Sequence, residues 1–169
     1  MALGEDPTRP GLLDTPRRFA DAWREFVEYD PGRCDVTFEA MRTDQLVVVT
    51  GLRVWSLCEH HLMPFHADVS IGVIAKDRVL GLSKYARIAH WHAHRLQMQE
   101  RLVHGIADEL ERVTGTGDVA VIARGRHLCM EARGIRTSGA MVTAVMRGVF
   151  RERAEARAEF LSLVGHGQS

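Results

Sequence analysis

The stretch Gln45-Leu46-Val47-Val48-Val49-Thr50-Gly51-Leu52-Arg53-Val54-Trp55-Ser56-Leu57 is a β-branched run that leads straight into Cys58-Glu59-His60-His61. Val47 and Val49 share one phase of the strand alternation, while Leu52 and Val54 take the opposite one. Gly51 sits at the change, which predicts a strand over 45–57 with a bulge at the glycine. A thiolate with a histidine three residues later fits one tight turn around a metal, and zinc prefers sulfur and imidazole donors. A distant echo, His127-Leu128-Cys129, supplies the same donor types.

Working outward, Ala67 to Ile74 alternates cleanly, with Val69, Ile71 and Val73 on one face and Asp68, Ser70 and Gly72 on the other. Lys76-Asp77 is a turn and Val79 to Leu82 a short extended piece. Ser83 is placed to cap a helix running to about His92. A longer helix spans roughly Gln97 to Thr114, with Leu102, Ile106, Leu110 and Val113 as its buried stripe and Gly115 to Gly117 as its stop. Val119 to Arg124 and Ile135 to Val149 read as strands, and Glu152 to Val164 as a charged closing helix. Upstream, residues 1–13 read as an extended arm. Asp14-Thr15-Pro16 then starts a helix, with a capping side chain just before the proline at the first helical position, and its stripe is Phe19, Trp23, Phe26 and Val27. The tail from Gly165 is expected to be disordered. This order predicts one α+β domain over 1–169, an antiparallel sheet with two helices on one face plus N- and C-terminal helices. Small residues on one face of the long strands also suggest that the sheet meets another copy of itself.

The 169 residues balance 22 Lys and Arg against 22 Asp and Glu, so no global charge points to nucleic acid or membrane partners. No apolar run is long enough to span a bilayer, and the start lacks the basic-then-apolar pattern of a secretion signal. Three cysteines make no disulfide framework and read as free or metal-bound thiols of a reducing cytosol. Nine histidines raise the prior for metal or acid–base chemistry.

On spacing alone the candidate ligands are Cys58, His60, His61, His127 and Cys129, more than zinc needs. A catalytic zinc keeps three protein ligands and one open position, so the surplus histidines fit proton transfer. The alternatives are an incidental Cys-x-x-His pair and a metal-free nucleophile with His127 activating Cys129. Glu100 beside Gln99 can pair with the N–H donors of a heterocycle, though a solvated helical glutamate is the commoner case. Lys84, Arg87 and Arg133 can bind phosphate, especially with Ser83 at a helix N-terminus, though scattered basic residues are more commonly solvated surface. His90, His92 and His94 read as surface or interface residues, and Cys34 has no assigned role.

Taken together, Cys58-Glu59-His60-His61-Leu62, Gly81-Leu82-Ser83-Lys84 with Arg87, Gln97-Met98-Gln99-Glu100-Arg101-Leu102 and His127-Leu128-Cys129 with Arg133-Gly134 strongly resemble GTP cyclohydrolase I. The likeness extends through Glu5-Asp6-Pro7, Thr15-Pro16-Arg17-Arg18, Gly148-Val149-Phe150 and Glu159-Phe160-Leu161, in order along nearly the whole chain.

The resemblance implies a cytoplasmic enzyme of the tunnelling fold, whose subunits join sheets into a barrel and stack as a homodecamer with active sites between subunits. It implies hydrolysis of GTP at C8, release of formate and reclosure to 7,8-dihydroneopterin triphosphate, the first step of pterin and folate-type biosynthesis. By motif position Cys58, His61 and Cys129 would hold Zn2+, and His60 and His127 would be the acid–base histidines. Glu100, assisted by Gln99, would read the guanine edge, and Ser83 would lie near the ribose. Lys84, Arg87, Arg133 and Arg18 would meet the triphosphate. Two departures stand out: many members carry an additional N-terminal helix, and His66-Ala67-Asp68 and Val73-Ile74-Ala75 replace the family's usual pattern on the second strand. Two other readings are a related tunnelling-fold nitrile reductase of deazapurine synthesis, which uses a cysteine without zinc, and a non-catalytic zinc-stabilised assembly module.

Overall fold

The computed structural model describes residues 4–40 and 45–166. Two compact units divide at Asp30/Pro31. In the first, residues 7–14 are not extended but turn repeatedly, with Arg9 N–H donating to Asp6 O, Leu12 N–H to Arg9 O and Thr15 N–H to Leu12 O. Helix α1 (Thr15–Val27) follows, with Pro16 inside its first turn. Asp14 is the N-cap residue but makes no capping bond; its carboxylate instead accepts from Arg18 at 3.3 Å. The stripe Phe19, Trp23 and Phe26 forms as an edge-to-face ladder, and no residue of α1 is buried.

The second unit contains strands β1 (Thr37–Glu39), β2 (Gln45–Cys58), β3 (Pro64–Ala75) and β4 (Arg78–Leu80), then helix α2 (Leu82–Ala93), strand β5 (Leu96–Gln97) and helix α3 (Gln99–Thr114). Strand β6 (Val119–His127), one-turn helix α4 (Leu128–Glu131), strand β7 (Met141–Met146) and helices α5 (Val149–Glu152) and α6 (Ala154–His166) complete it. The fold is α+β. The main sheet runs β5-β2-β3-β6-β7, antiparallel except for the two-residue β5, which lies parallel to β2 and makes the sheet mixed. β1 and β4 form a separate two-stranded ribbon that the sequence reading had only as one extended piece.

The bulge lies where the phase change puts it. Val49 pairs with Ile71 but Leu52 with Val69, so β2 carries one extra residue, and Gly51 takes the left-handed φ of +70° that glycine adopts at no steric cost. That residue rephases the strand, so Val47, Val49, Leu52 and Val54 all face one core with Ala67, Val69, Ile71 and Val73 of β3. Against this face pack Tyr85, Ile88 and Ala89 of α2 and Leu102, Ile106, Leu110 and Val113 of α3.

The opposite face is not left wholly to a partner. Phe150 of α5 and Phe160 and Val164 of α6 cover Leu46, Val48, Ile74, Ala120, Ile122 and Met146. The Phe160 ring occupies the space a Cβ on Gly72 would take, 2.6 Å away, which is why β3 has no side chain there. The helix boundaries also differ from expectation. Gly81, not Ser83, is the N-cap of α2, and α6 continues through Gly165 and His166, where a disordered tail was expected; 167–169 lie outside the described residues. β7 is shorter than 135–149 because Gly134 and the following turn precede it and Gly148, at a φ of +50°, closes it.

Candidate active site

Beyond Cys58 the chain folds back at once. The Cys58 carbonyl accepts from the N–H groups of His61 (3.3 Å) and Leu62 (2.8 Å), and Cys58 N–H donates to Met63 O at 2.9 Å. Leu62 closes the turn at a φ of +53°, unusual for a residue with a side chain. Glu59 anchors the turn outward, its N–H on Gln97 O and its carboxylate on both terminal nitrogens of Arg101 (2.6 and 3.3 Å). Across the sheet, β6 gives way to α4, so Cys129 sits on a helical turn just past the strand end.

The result is convergence. Ligand atoms of Cys58, His61 and Cys129 all lie within 4.8 Å of one another, with Cys58 Sγ 3.8 Å from His61 Nδ1. His60 Nδ1 is 4.0 Å from the same sulfur but its side chain remains largely exposed. Two thiols and an imidazole are a soft donor set that leaves a fourth tetrahedral position open. Burial and the neighbouring Cys58 sulfur push the Cys129 thiol up, because a second thiolate beside the first is costly; a divalent cation removes that cost. The residues therefore fit a metal. Arg133 donates to His61 Nε2 at 2.8 Å. A neutral imidazole has one lone pair, so ligation through Nδ1 breaks this contact and releases Arg133.

His127 is held by a ring stack and a hydrogen bond. Its ring stacks on Phe65 (4.5 Å between centroids, 13° between planes), and its Nε2 lies 2.9 Å from Gln99 Oε1. Gln99 is buried, with Nε2 donating to Ala123 O (3.0 Å), Met141 O (3.0 Å) and Thr143 Oγ1 (3.1 Å). Those acceptors orient the amide, so Oε1 faces His127 and Nε2 of the histidine must carry its proton. Nδ1 is left with the lone pair. Burial lowers the His127 pKa, which favours this neutral form, while the Glu100 and Glu131 carboxylates pull the other way. A Cβ at Gly125 would collide with Gln99 Oε1, so the strand has no side chain there.

The Gln99 side-chain amide is committed to Ala123 O, Met141 O and Thr143 Oγ1 of β6 and β7 and to His127. Glu100, one residue on in the first turn of α3, is exposed. Ser83, Lys84 and Arg87 are not brought to the metal end. They start α2, whose other end touches β2 where Ser56 Oγ donates to Ala93 O (2.6 Å). Lys84 to Ala93 is about 14 Å along the helix at roughly 1.5 Å per residue. There Lys84 donates to Arg33 O (3.0 Å) and Arg87 to Pro31 O. Arg18 lies in the N-terminal unit on Asp14. Phe65, Thr143 and Gly125 escaped the sequence reading. A lone glycine inside a strand was the available signal for a close approach.

Against known proteins, the family model described as GTP cyclohydrolase I matches residues 1–165. A GTP cyclohydrolase 1 of Pseudoalteromonas atlantica is 45% identical, covering 96% of this chain and 91% of that one. One from Hyperthermus butylicus is 43% identical over 96% and 84%, and one from Pseudomonas syringae 45% over 96% and 92%. A solved structure, an archaeosine synthase QueF-Like in the apo form, matches at a TM-score of 0.44 and 15% identity over 61% of this chain and 95% of that chain, which carries no argument.

Proposed function

Because the chain belongs to the GTP cyclohydrolase I family, we propose that it hydrolyses GTP at C8, releases formate and recloses the product as 7,8-dihydroneopterin triphosphate, with Zn2+ held by Cys58, His61 and Cys129. The observation that carries this reading is the convergence of those three ligands within 4.8 Å beside a histidine whose tautomer is set. When bound, the metal activates water near neutral pH by lowering its pKa.

The chain's own groups do the rest. His127, neutral and with Nδ1 free, accepts a proton, and the Gln99 carbonyl holds the ring and stabilises the imidazolium that results. His60, exposed beside the ligand set, delivers protons to the ring nitrogens as the imidazole ring of guanine opens. Glu100 accepts from N1–H and the exocyclic amine of guanine; adenine has no such pair, and binding it would leave the carboxylate unpaired. Arg133, once released from His61, and Lys84, Arg87 and Arg18 hold the triphosphate, with Ser83 near the ribose.

Lys84 and Arg87 stand a helix length from the metal end, so we infer that they act on a substrate bound at the metal end of a neighbouring copy. The open edges of the sheet favour such assembly. Among the described residues β7 pairs only with β6, and β5 covers just Leu57 and Cys58 of β2, leaving two long edges for further copies. This supports the joining of several copies into a tunnelling-fold barrel; the decamer is proposed from the family resemblance. The test is to incubate metal-analysed protein with GTP and measure formate and, after oxidation, pterin fluorescence. Stoichiometric release of both is expected; metal-replete protein that leaves GTP intact would overturn the reading.

A further inference from the structure

The sheet face away from α2 and α3 has two unlike halves. Under α5 and α6 it is apolar. Beyond them two cross-strand rows are bare: Arg53, Asp68 and Arg124, and Trp55, His66 and Arg126, each set opposite the next by register. With Ser138, Gly139 and Ala140, the charged members and His66 line a cavity of about 540 Å³, within the range of small-molecule sites.

The charges in it do not cancel. Both Asp68 oxygens accept from Arg53 (2.8 and 2.9 Å), and Arg126 is spent on both oxygens of Glu131 (2.9 Å each). Arg124 faces the already occupied Asp68 and has no hydrogen-bond or ion-pair partner among the described residues. His66 leans on Trp55, 5.1 Å between ring centroids, and its Nδ1 is buried without a hydrogen-bond partner. Buried polar atoms of this kind are ordinarily satisfied. An uncompensated guanidinium, the His66 ring and the Ser138 hydroxyl thus line one concavity, and guanidinium N–H and hydroxyl O–H groups donate to oxyanions.

We propose that this half-face is a binding site for a small phosphate-bearing anion, with Arg124 as its main charge and His66 and Ser138 as further donors. It is separate from the metal end. Phe65 and His127 belong to the neighbouring positions of the same strands, and successive strand residues point to opposite faces. The anion would therefore lie across the sheet from the imidazole of His127, and the site does not depend on the reading of the metal end.

Isothermal titration with inorganic phosphate, at low ionic strength and with malonate in parallel, tests it on the metal-loaded protein. Saturable phosphate binding should survive Arg133→Ala, weaken at least about tenfold in Arg124→Gln and a few-fold in Ser138→Ala, the milder variant covering any failure of the first to fold. An isotherm abolished by Arg133→Ala, or unchanged in both Arg124→Gln and Ser138→Ala, would overturn the proposal. Malonate binding as tightly as phosphate would overturn the phosphate assignment.

Discussion

The two ends of the α2–α3 layer are built differently. At the metal end, polar side chains are fixed by bonds inside the chain: Gln99 on three acceptors and His127, Glu59 on Arg101, the 58–63 turn on the Cys58 carbonyl. At the start of α2, Lys84 and Arg87 donate only to loop carbonyls, and no carboxylate neutralises either one among the described residues. One end carries prearranged chemistry, the other uncompensated positive charge. The lesson is that the candidate ligand set and the basic residues at the start of α2 stand a helix length apart within one chain.

Breaking the metal end should have the largest effect. Cys129→Ser is expected to lose bound metal and about a thousandfold or more of turnover together, read by metal analysis and pterin fluorescence. His60→Ala should keep its metal and lose roughly 10²-fold or more in kcat, the range of a general acid–base group. Gly125→Ala sharpens the same end without touching a ligand. The new Cβ displaces Gln99 Oε1, so turnover should fall by roughly tenfold or more and stability by about 1–3 kcal/mol, with metal content unchanged.

The smallest effect is outside both ends. His92 of α2 is half-buried against Gly105 of α3, within electrostatic reach of Arg95, Asp108 and Glu109, and its Nε2 is buried with no hydrogen-bond partner. Burial lowers its pKa below the ordinary 6.5, with Arg95 adding to the shift and the two carboxylates opposing it. The unfolded chain therefore takes up a proton that the folded chain resists. Stability should be flat above that pH and fall as pH drops through it, and His92→Gln should flatten this acid limb in denaturant titrations.

The bulge at Gly51 and the core faces of β2, β3 and α3 were legible because alternation and helical period leave a direct record in one stretch of sequence. The meeting of Cys58, His61 and Cys129 was legible because motifs name candidate donors before contacts are known. Three things were not. Gln99 looks like a substrate-facing partner of Glu100, yet its role depends on carbonyls of β6 and β7 that only the register brings near. Cys129 is helical because the strand ends two residues before it, a boundary that periodicity does not fix. The closing helix covers the sheet's second face through Phe160 over Gly72, a contact between positions far apart in sequence.

The separation of the two ends is tested most directly by mixing dead variants. Cys129→Ser lacks the metal end and Lys84→Ala lacks the anion end. Unfolded together in equal amounts and reassembled, copies that complete each other's sites should recover up to about one quarter of wild-type turnover, since one junction in four pairs two intact ends. Recovery no greater than the sum of the separate variants would contradict a site shared between copies.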